Sequence, residues 1–140
     1  MFEFIVVDMS TRLDSIAEAL FKAVEILLLI ANPTLPSIIN TRKVLSYLDA
    51  RALNPERVHL VLNKVDAELA KAKIEIPVRA IEQGVRKVFA VIPRADRQVI
   101  AAINRGIPVV SRDQAESPAK ELILLADSIR RICDSNASRS

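Results

Sequence analysis

Two glycines, one cysteine, one histidine and no tryptophan occur among the 140 residues. Each scarcity removes chemistry. A Walker loop or a dinucleotide fingerprint gathers several glycines within a few residues, because the backbone must wrap a phosphate without Cβ atoms in the way. Gly84 and Gly106 stand far apart, so this chain contains neither. The single Cys133 excludes an internal disulfide and a paired-cysteine zinc or redox site, and the single His59 excludes a multi-histidine metal centre. A lone thiol without a bridge fits a reducing, cytosolic setting. No apolar run approaches the roughly 18 to 20 residues needed to span a bilayer. The longest, residues 26–31, is strand-sized, and the N-terminus lacks the basic-then-apolar pattern of a secretory signal.

Net charge is also scarce. Twenty Lys and Arg stand against 17 Asp and Glu, a formal +3 that by itself selects neither nucleic acid nor membrane as a partner. The charges are unevenly spread, however. Arg79, Arg86, Lys87, Arg94, Arg97, Arg105 and Arg112 meet only Glu82 and Asp96 within the same stretch.

Hydrophobic residues are abundant at 51%, enough for one domain with a sizeable core. Residues 2–7 (FEFIVV) predict a short strand ending at Asp8. Thr11 or Asp14 can cap a helix carrying Leu13, Ile16, Leu20 and Val24 at spacings of three and four. Residues 26–31 predict a strand covered on both faces. The Asn32-Pro33-Thr34-Leu35-Pro36 segment breaks it, and helical spacing resumes over residues 37–47 through Ile38, Leu45 and Leu48. Residues 58–62 (VHLVL) predict a third strand, with His59 facing away from Val58 and Leu60. Pro77 fits the first turn of a short helix that Gly84 can close in the left-handed conformation. Residues 88–92 (VFAVI) predict a fourth strand, stopped by Pro93. Asp96 is placed to cap a helix with Val99, Ile100 and Ile103, ending at Gly106. Ser117-Pro118 opens a long last helix with Leu122, Leu125, Ala126, Ile129 and Ile132 inward. Residues 1–134 read as one unit and 135–140 as a frayed polar tail.

Alternation of strand and helix from end to end argues for an α/β domain with a mainly parallel, helix-covered sheet. Ligands of such sheets sit outside the carboxyl ends of the strands. The polar residues to inspect are therefore Asp8, Asn32, Asn63 with Lys64 and Asp66, and Arg94 with Asp96.

Read together, those strand ends resemble the MinD/ParA class of P-loop ATPases. Phe4-Ile5-Val6-Val7-Asp8 is similar to the acidic strand end of that class. Ile30-Ala31-Asn32-Pro33-Thr34-Leu35-Pro36-Ser37 resembles the strand, proline and serine-led helix that follow it. Val61-Leu62-Asn63-Lys64 resembles the strand ending in Asn plus a basic residue. Val91-Ile92-Pro93-Arg94-Ala95-Asp96, with Ala101-Ala102-Ile103-Asn104-Arg105-Gly106-Ile107-Pro108, resembles "IP, acidic residue, then A-x-N-x-G-x-P". Within the class the likeness is to the CpaE/TadZ branch, which helps place Flp (Tad) pilus machines. It covers nearly the whole chain but only the second half of the family's domain: a Rossmann-like three-layer fold without its P-loop strand. Met9-Ser10-Thr11-Arg12 stands where the family often has Pro and Gly. In the complete fold the P-loop strand lies between the strand ending at Asp8 and that ending at Ala31. The chain thus reads as a fragment, with either a gap in the sheet or direct pairing of those two strands, and with Met1 an added or internal start.

The resemblance implies roles. Asn63 would meet the adenine edge, Lys64, Pro93 and Arg94 with Asp96 would line the base, and Asp8 would be the acid beside Mg²⁺. ATP and Mg²⁺ would belong to the complete protein, neither being held tightly by this chain, which has no catalytic residues of its own. Arg79, Arg86, Lys87, Arg97 and Arg105 would form a basic patch. Partners would be a second copy or proteins of a pilus or secretion machine, with nucleic acid the weaker alternative. The location would be cytoplasmic, or peripheral at a membrane through partners. Plainer readings stand beside these. Asp8 can serve a helix N-terminus, the arginines can be a solvated face, and Asn63 can be an ordinary strand-to-turn residue. Asn63-Lys64-Val65-Asp66 also spells the NKxD guanine signature of GTPases, although Asp8-Met9-Ser10-Thr11 lacks the Gly of D-x-x-G. Glu68, Glu75 and Glu82 are spaced regularly with lysines and arginines and make no catalytic pair. Cys133 reads as a small apolar residue. The alternative function is a non-catalytic interaction module on a decayed P-loop scaffold, docking through an open sheet edge or the basic face.

Overall fold

The computed structural model describes residues 3–9, 12–111 and 114–138. Phe2, Ser10, the alternative cap Thr11 and Arg112 lie outside the described residues.

Three strands, β1 (Leu27–Ala31), β2 (Val58–Val65) and β3 (Val88–Pro93), form a parallel sheet with β2 in the middle. Parallel neighbours need crossovers. The first is α2 (Leu35–Asp49); the second consists of α3 (Ala67–Lys71) and α4 (Val78–Gly84). β1 and β2 pair in step from Leu27 with Val58 to Ala31 with Leu62. Alternation puts Leu60 and Leu62 on one face of β2. There they meet Ala31, Ile38 of α2 and Ile81 of α4 in the main core. A second cluster joins Ala17 and Phe21 to Leu48 and Val58 at the amino ends of the strands. His59 points to the other face and lies against Phe89, ring centroids 4.5 Å apart.

Several expectations are corrected. Residues 3–7 form no strand and do not pair with β1, which is an edge strand. Helix α1 (Ser15–Ala23) is capped by Asp14, whose carboxylate accepts from the Ile16 and Ala17 N–H groups. Its buried face is Ala17 and Phe21, while Ile16 is 70% exposed. SIAEALFKA is apolar on more than one side, so periodicity does not choose the face. Phe21, packed on Leu48 and Val58 and edge-on to Tyr47, does.

The same holds for α5 (Asp96–Asn104). Only Ala102 is buried, and Val99, Ile100 and Ile103 face outward. Ala95 is its N-cap and Asp96 its first residue, with no side-chain cap. Gly84 ends α4 without a left-handed φ. Its usefulness is close approach: an added Cβ would meet Arg42 Nη2 at 3.1 Å, and that guanidinium donates to the Gly84 carbonyl. Gly106 does take φ +66° at the end of α5, as its helix-closing position predicts. The last helix, α6 (Ala119–Ala137), packs on β3 and extends to Ala137, into the segment read as a frayed tail. Leu122, Leu125, Ile129 and Ile132 are half-buried, but Ala126 is exposed.

Candidate functional site at the strand ends

The chemistry-bearing residues gather where β2 and β3 end. Leu62 pairs with Val91 and Val65 with Pro93, so Asn63 and Lys64 together oppose the single Ile92. That is a β-bulge, which bends a strand and re-aims its side chains. Lys64 takes φ +56°, uncommon for a residue with a Cβ. Asn63 helps hold it there, its Oδ1 accepting from the Lys64 N–H at 3.0 Å. The Asn63 side chain is left with its amide N–H donors for any ligand. Asp66 follows and caps α3, its carboxylate accepting from the Glu68 and Leu69 N–H groups at 3.0 and 3.2 Å.

Glu75 closes the site from beneath. Its side chain is 4% exposed. Oε2 accepts from the Asp66 N–H at 2.9 Å, and Oε1 accepts from Arg94 Nη2 at 3.2 Å. The Arg94 N–H donates to the Val65 carbonyl at 2.9 Å, and the adjoining Ile76 N–H donates to the Pro33 carbonyl at 3.0 Å. The pair Glu75-Ile76 thereby ties together the chain leaving all three strands. At β1 the Ser37 hydroxyl accepts from the Asn32 N–H at 3.0 Å. Spacing alone groups Glu75 with Glu68 and Glu82. The usable signal is local: Ile74, Ile76 and Pro77 surround it with apolar residues inside a charged stretch.

The site brings together Asn63, Lys64, Pro93 and Arg94, with Asp96 exposed two residues beyond Arg94 on the first turn of α5. Asp8 is not among them. It adjoins Met9, which packs against the Phe21, Leu48 and Val58 cluster at the opposite end of the sheet. Among the described residues no group of His, Cys, Asp or Glu is placed to hold a metal ion. Asp8 alone does not fit the several oxygen ligands of Mg²⁺.

The basic residues divide. Arg86 and Lys87 precede β3, while Arg94 and Arg97 follow it, about 20 Å away for a six-residue strand. Arg86 Nη2 donates to the Pro55 carbonyl. Arg79 is exposed on α4 and Arg105 at the far end of α5.

Two further titratable groups lie elsewhere. Burial, and then the positive charge of Arg86, holds the His59 pKa below its ordinary value. Burial, and then the Glu25 carboxylate, push the Cys133 thiol pKa up. A cavity of about 320 Å³ lined by Glu25, Asn54, Glu56, Arg57 and Asn136 opens at the amino ends of the strands, away from the site. No helix is long and apolar enough to cross a membrane among the described residues.

No protein-family profile matches the chain. It is 26% identical over 124 residues to a putative septum site-determining protein MinD from Emiliania huxleyi, a match covering 87% of this chain and 44% of that protein. Its fold superposes on a chain of the MinC:MinD cell division protein complex of Aquifex aeolicus with a TM-score of 0.72 and 20% identity, over 87% of this chain and 48% of the other. The ParA family ATPase of Chlorobium tepidum TLS gives a TM-score of 0.71 and 17% identity, over 82% and 46%. The chain has an α/β fold that is part of the MinD/ParA fold, and it spans about half the length of these relatives.

Proposed function

We propose that this chain is the nucleobase-contacting portion of a MinD/ParA-like ATP-binding positioning protein, of the CpaE/TadZ type that serves Flp pilus assembly. One observation carries the reading. The Asn63-Lys64 bulge and the Pro93-Arg94 turn stand side by side at the carboxyl ends of adjacent parallel strands, where α/β sheets bind ligands. The Asn63 amide donates to a purine ring nitrogen, the Pro93 ring offers an apolar face to the base, and Lys64, Arg94 and Asp96 line its rim. Phosphate contacts and Mg²⁺ belong to a glycine-rich loop that these 140 residues do not contain, so this chain alone does not hydrolyse ATP. The complete protein would work in the cytoplasm, or at a membrane through partners, by associating with a second copy or with pilus machinery. Adenine is favoured over guanine because the Asp66 carboxylate, which the NKxD reading assigns to guanine, is engaged in capping α3.

A second reading, a non-catalytic docking module, is favoured by the open outer edge of β1 and the 55% exposure of Ile30 on it.

Titration of the labelled chain by amide NMR tests the first reading. Adenosine is expected to shift the Asn63 side-chain amide and the Lys64 and Arg94 signals with millimolar affinity. MgATP is expected to bind within about tenfold of adenosine, since its phosphates find no cradle. Absence of any adenosine-induced shift, or a preference for guanosine, rejects the adenine site. Micromolar MgATP affinity rejects the claim that phosphate contacts lie outside these residues.

A further inference from the structure

Glu75 is the one charged side chain that is buried among the described residues. A carboxylate leaves water at a cost unless its oxygens are partnered, and here each oxygen takes one partner from a different strand end. Oε2 fixes the Asp66 N–H, two residues beyond the bulge, and Oε1 fixes the Arg94 guanidinium, immediately after Pro93. We infer that Glu75 is a positioning residue for the strand-end nucleobase site, holding Arg94 and the Asn63-Lys64 bulge in their ligand-ready arrangement. The inference rests on the adenine reading above and adds to it the residue that preorganises the site.

The chemistry sets how this differs from ordinary structural support. The carboxylate accepts from both neighbours, and a glutamine cannot. Its amide oxygen can still take the Asp66 N–H, but its NH₂ then faces the donor-only guanidinium of Arg94. Glu75→Gln therefore keeps the bulge tied and releases Arg94, whose side chain is 39% exposed and free to swing into water. The ligand would then have to order Arg94 itself, which lowers affinity without removing any group that touches it.

Adenosine titrations of the whole chain by NMR test this in a double-mutant cycle with Arg94→Met. Glu75→Gln is expected to weaken adenosine about fivefold, the scale of one charge-assisted contact. In the Arg94→Met background it is expected to change nothing more, because its effect passes through Arg94. Equal affinity for Glu75→Gln and wild type, with wild type showing clear shifts, overturns the inference and leaves the adenine site standing. Equal weakening in both backgrounds also overturns it, since Glu75 would then act as general support. No shift in the wild type overturns the adenine reading and this inference together. Should Glu75→Gln fail to fold, Glu75→Asp replaces it. Aspartate keeps the charge but falls one methylene short of Arg94, and the same cycle and the same outcomes apply.

Discussion

Residues 3–7 (EFIVV) and 58–62 (VHLVL) are nearly the same sequence in kind: five residues, one polar, four large and apolar. Their fates are opposite. In the second, Leu60, Val61 and Leu62 are at most 1% exposed in the centre of the sheet; in the first, Ile5 is 81% and Val6 93% exposed, outside any strand. Intrinsic β-preference is alike in both, so the difference lies in neighbours. β2 has a hydrogen-bonding partner on each edge and helices over the face that carries Leu60. Residues 3–7 have no strand beside them, and a lone extended segment leaves its backbone donors and acceptors to water. A strand is made by the adjacent strands more than by its own residues.

The sharpest way to break this comparison is to cut one apolar side chain back to alanine in each segment. Leu60→Ala is expected to cost about 3 to 4 kcal/mol, because a fully buried leucine leaves a cavity that a close-packed core fills only in part. Val6→Ala is expected to change stability by less than about 0.5 kcal/mol, the usual range for an exposed site. Urea unfolding of both variants gives the two numbers directly. A comparable loss at Val6 would mean that residues 3–7 are packed in solution.

Much of the fold was legible because its signals are local. The apolar runs beginning near Leu27, Val58 and Val88 became the three strands, and Asp14 and Asp66 cap the helices that follow them. Where a decision needed the partner, the residues did not contain it. SIAEALFKA and DRQVIAAIN carry apolar side chains on several sides, and the buried ones turned out to be the small Ala17 and Ala102, with Phe21, which suit close approach. At the strand ends Asn63, Lys64, Pro93 and Arg94 could be named from their positions after apolar runs. Glu75 is marked only by its apolar neighbours Ile74, Ile76 and Pro77, and that local signal does not tell that its carboxylate will meet an arginine nineteen residues later.

The two glycines give a smaller contrast of the same kind, one governed by its own backbone and one by a neighbour. Gly106 has φ +66° with open space around it, so Gly106→Ala carries only the conformational cost of the left-handed region, about 1 kcal/mol. Gly84 has no such φ. Gly84→Ala gains about 0.8 kcal/mol of helix propensity but pushes the Arg42 guanidinium from the carbonyl it holds at 2.7 Å. The two effects offset to within about 0.5 kcal/mol by the size of one exposed hydrogen bond. Thermal unfolding that ranks Gly84→Ala below Gly106→Ala would show that Arg42 is fixed more firmly than an exposed side chain should be.

The smallest expected effect separates the polar residues of the two compared segments. Glu3 is exposed and only 3.8 Å from Arg130, a pair that solvent screens. His59 is half-buried against Phe89, and its Nε2 has no hydrogen-bond partner among the described residues. Burial and Arg86 hold its folded pKa below the ordinary value. As pH falls through the ordinary histidine range near about 6.5, the unfolded chain therefore takes up the proton before the folded one does. Stability contributed by neutral His59 is complete above that range, declines as pH drops toward the lowered folded pKa, and levels off below it. The wild-type stability curve should accordingly bend downward on acidification relative to His59→Leu, which removes the titrating group and keeps an apolar side chain against Phe89. Urea midpoints measured for both proteins across that range isolate the difference. Parallel curves would mean that His59 reaches water as freely in the folded chain as in the unfolded one.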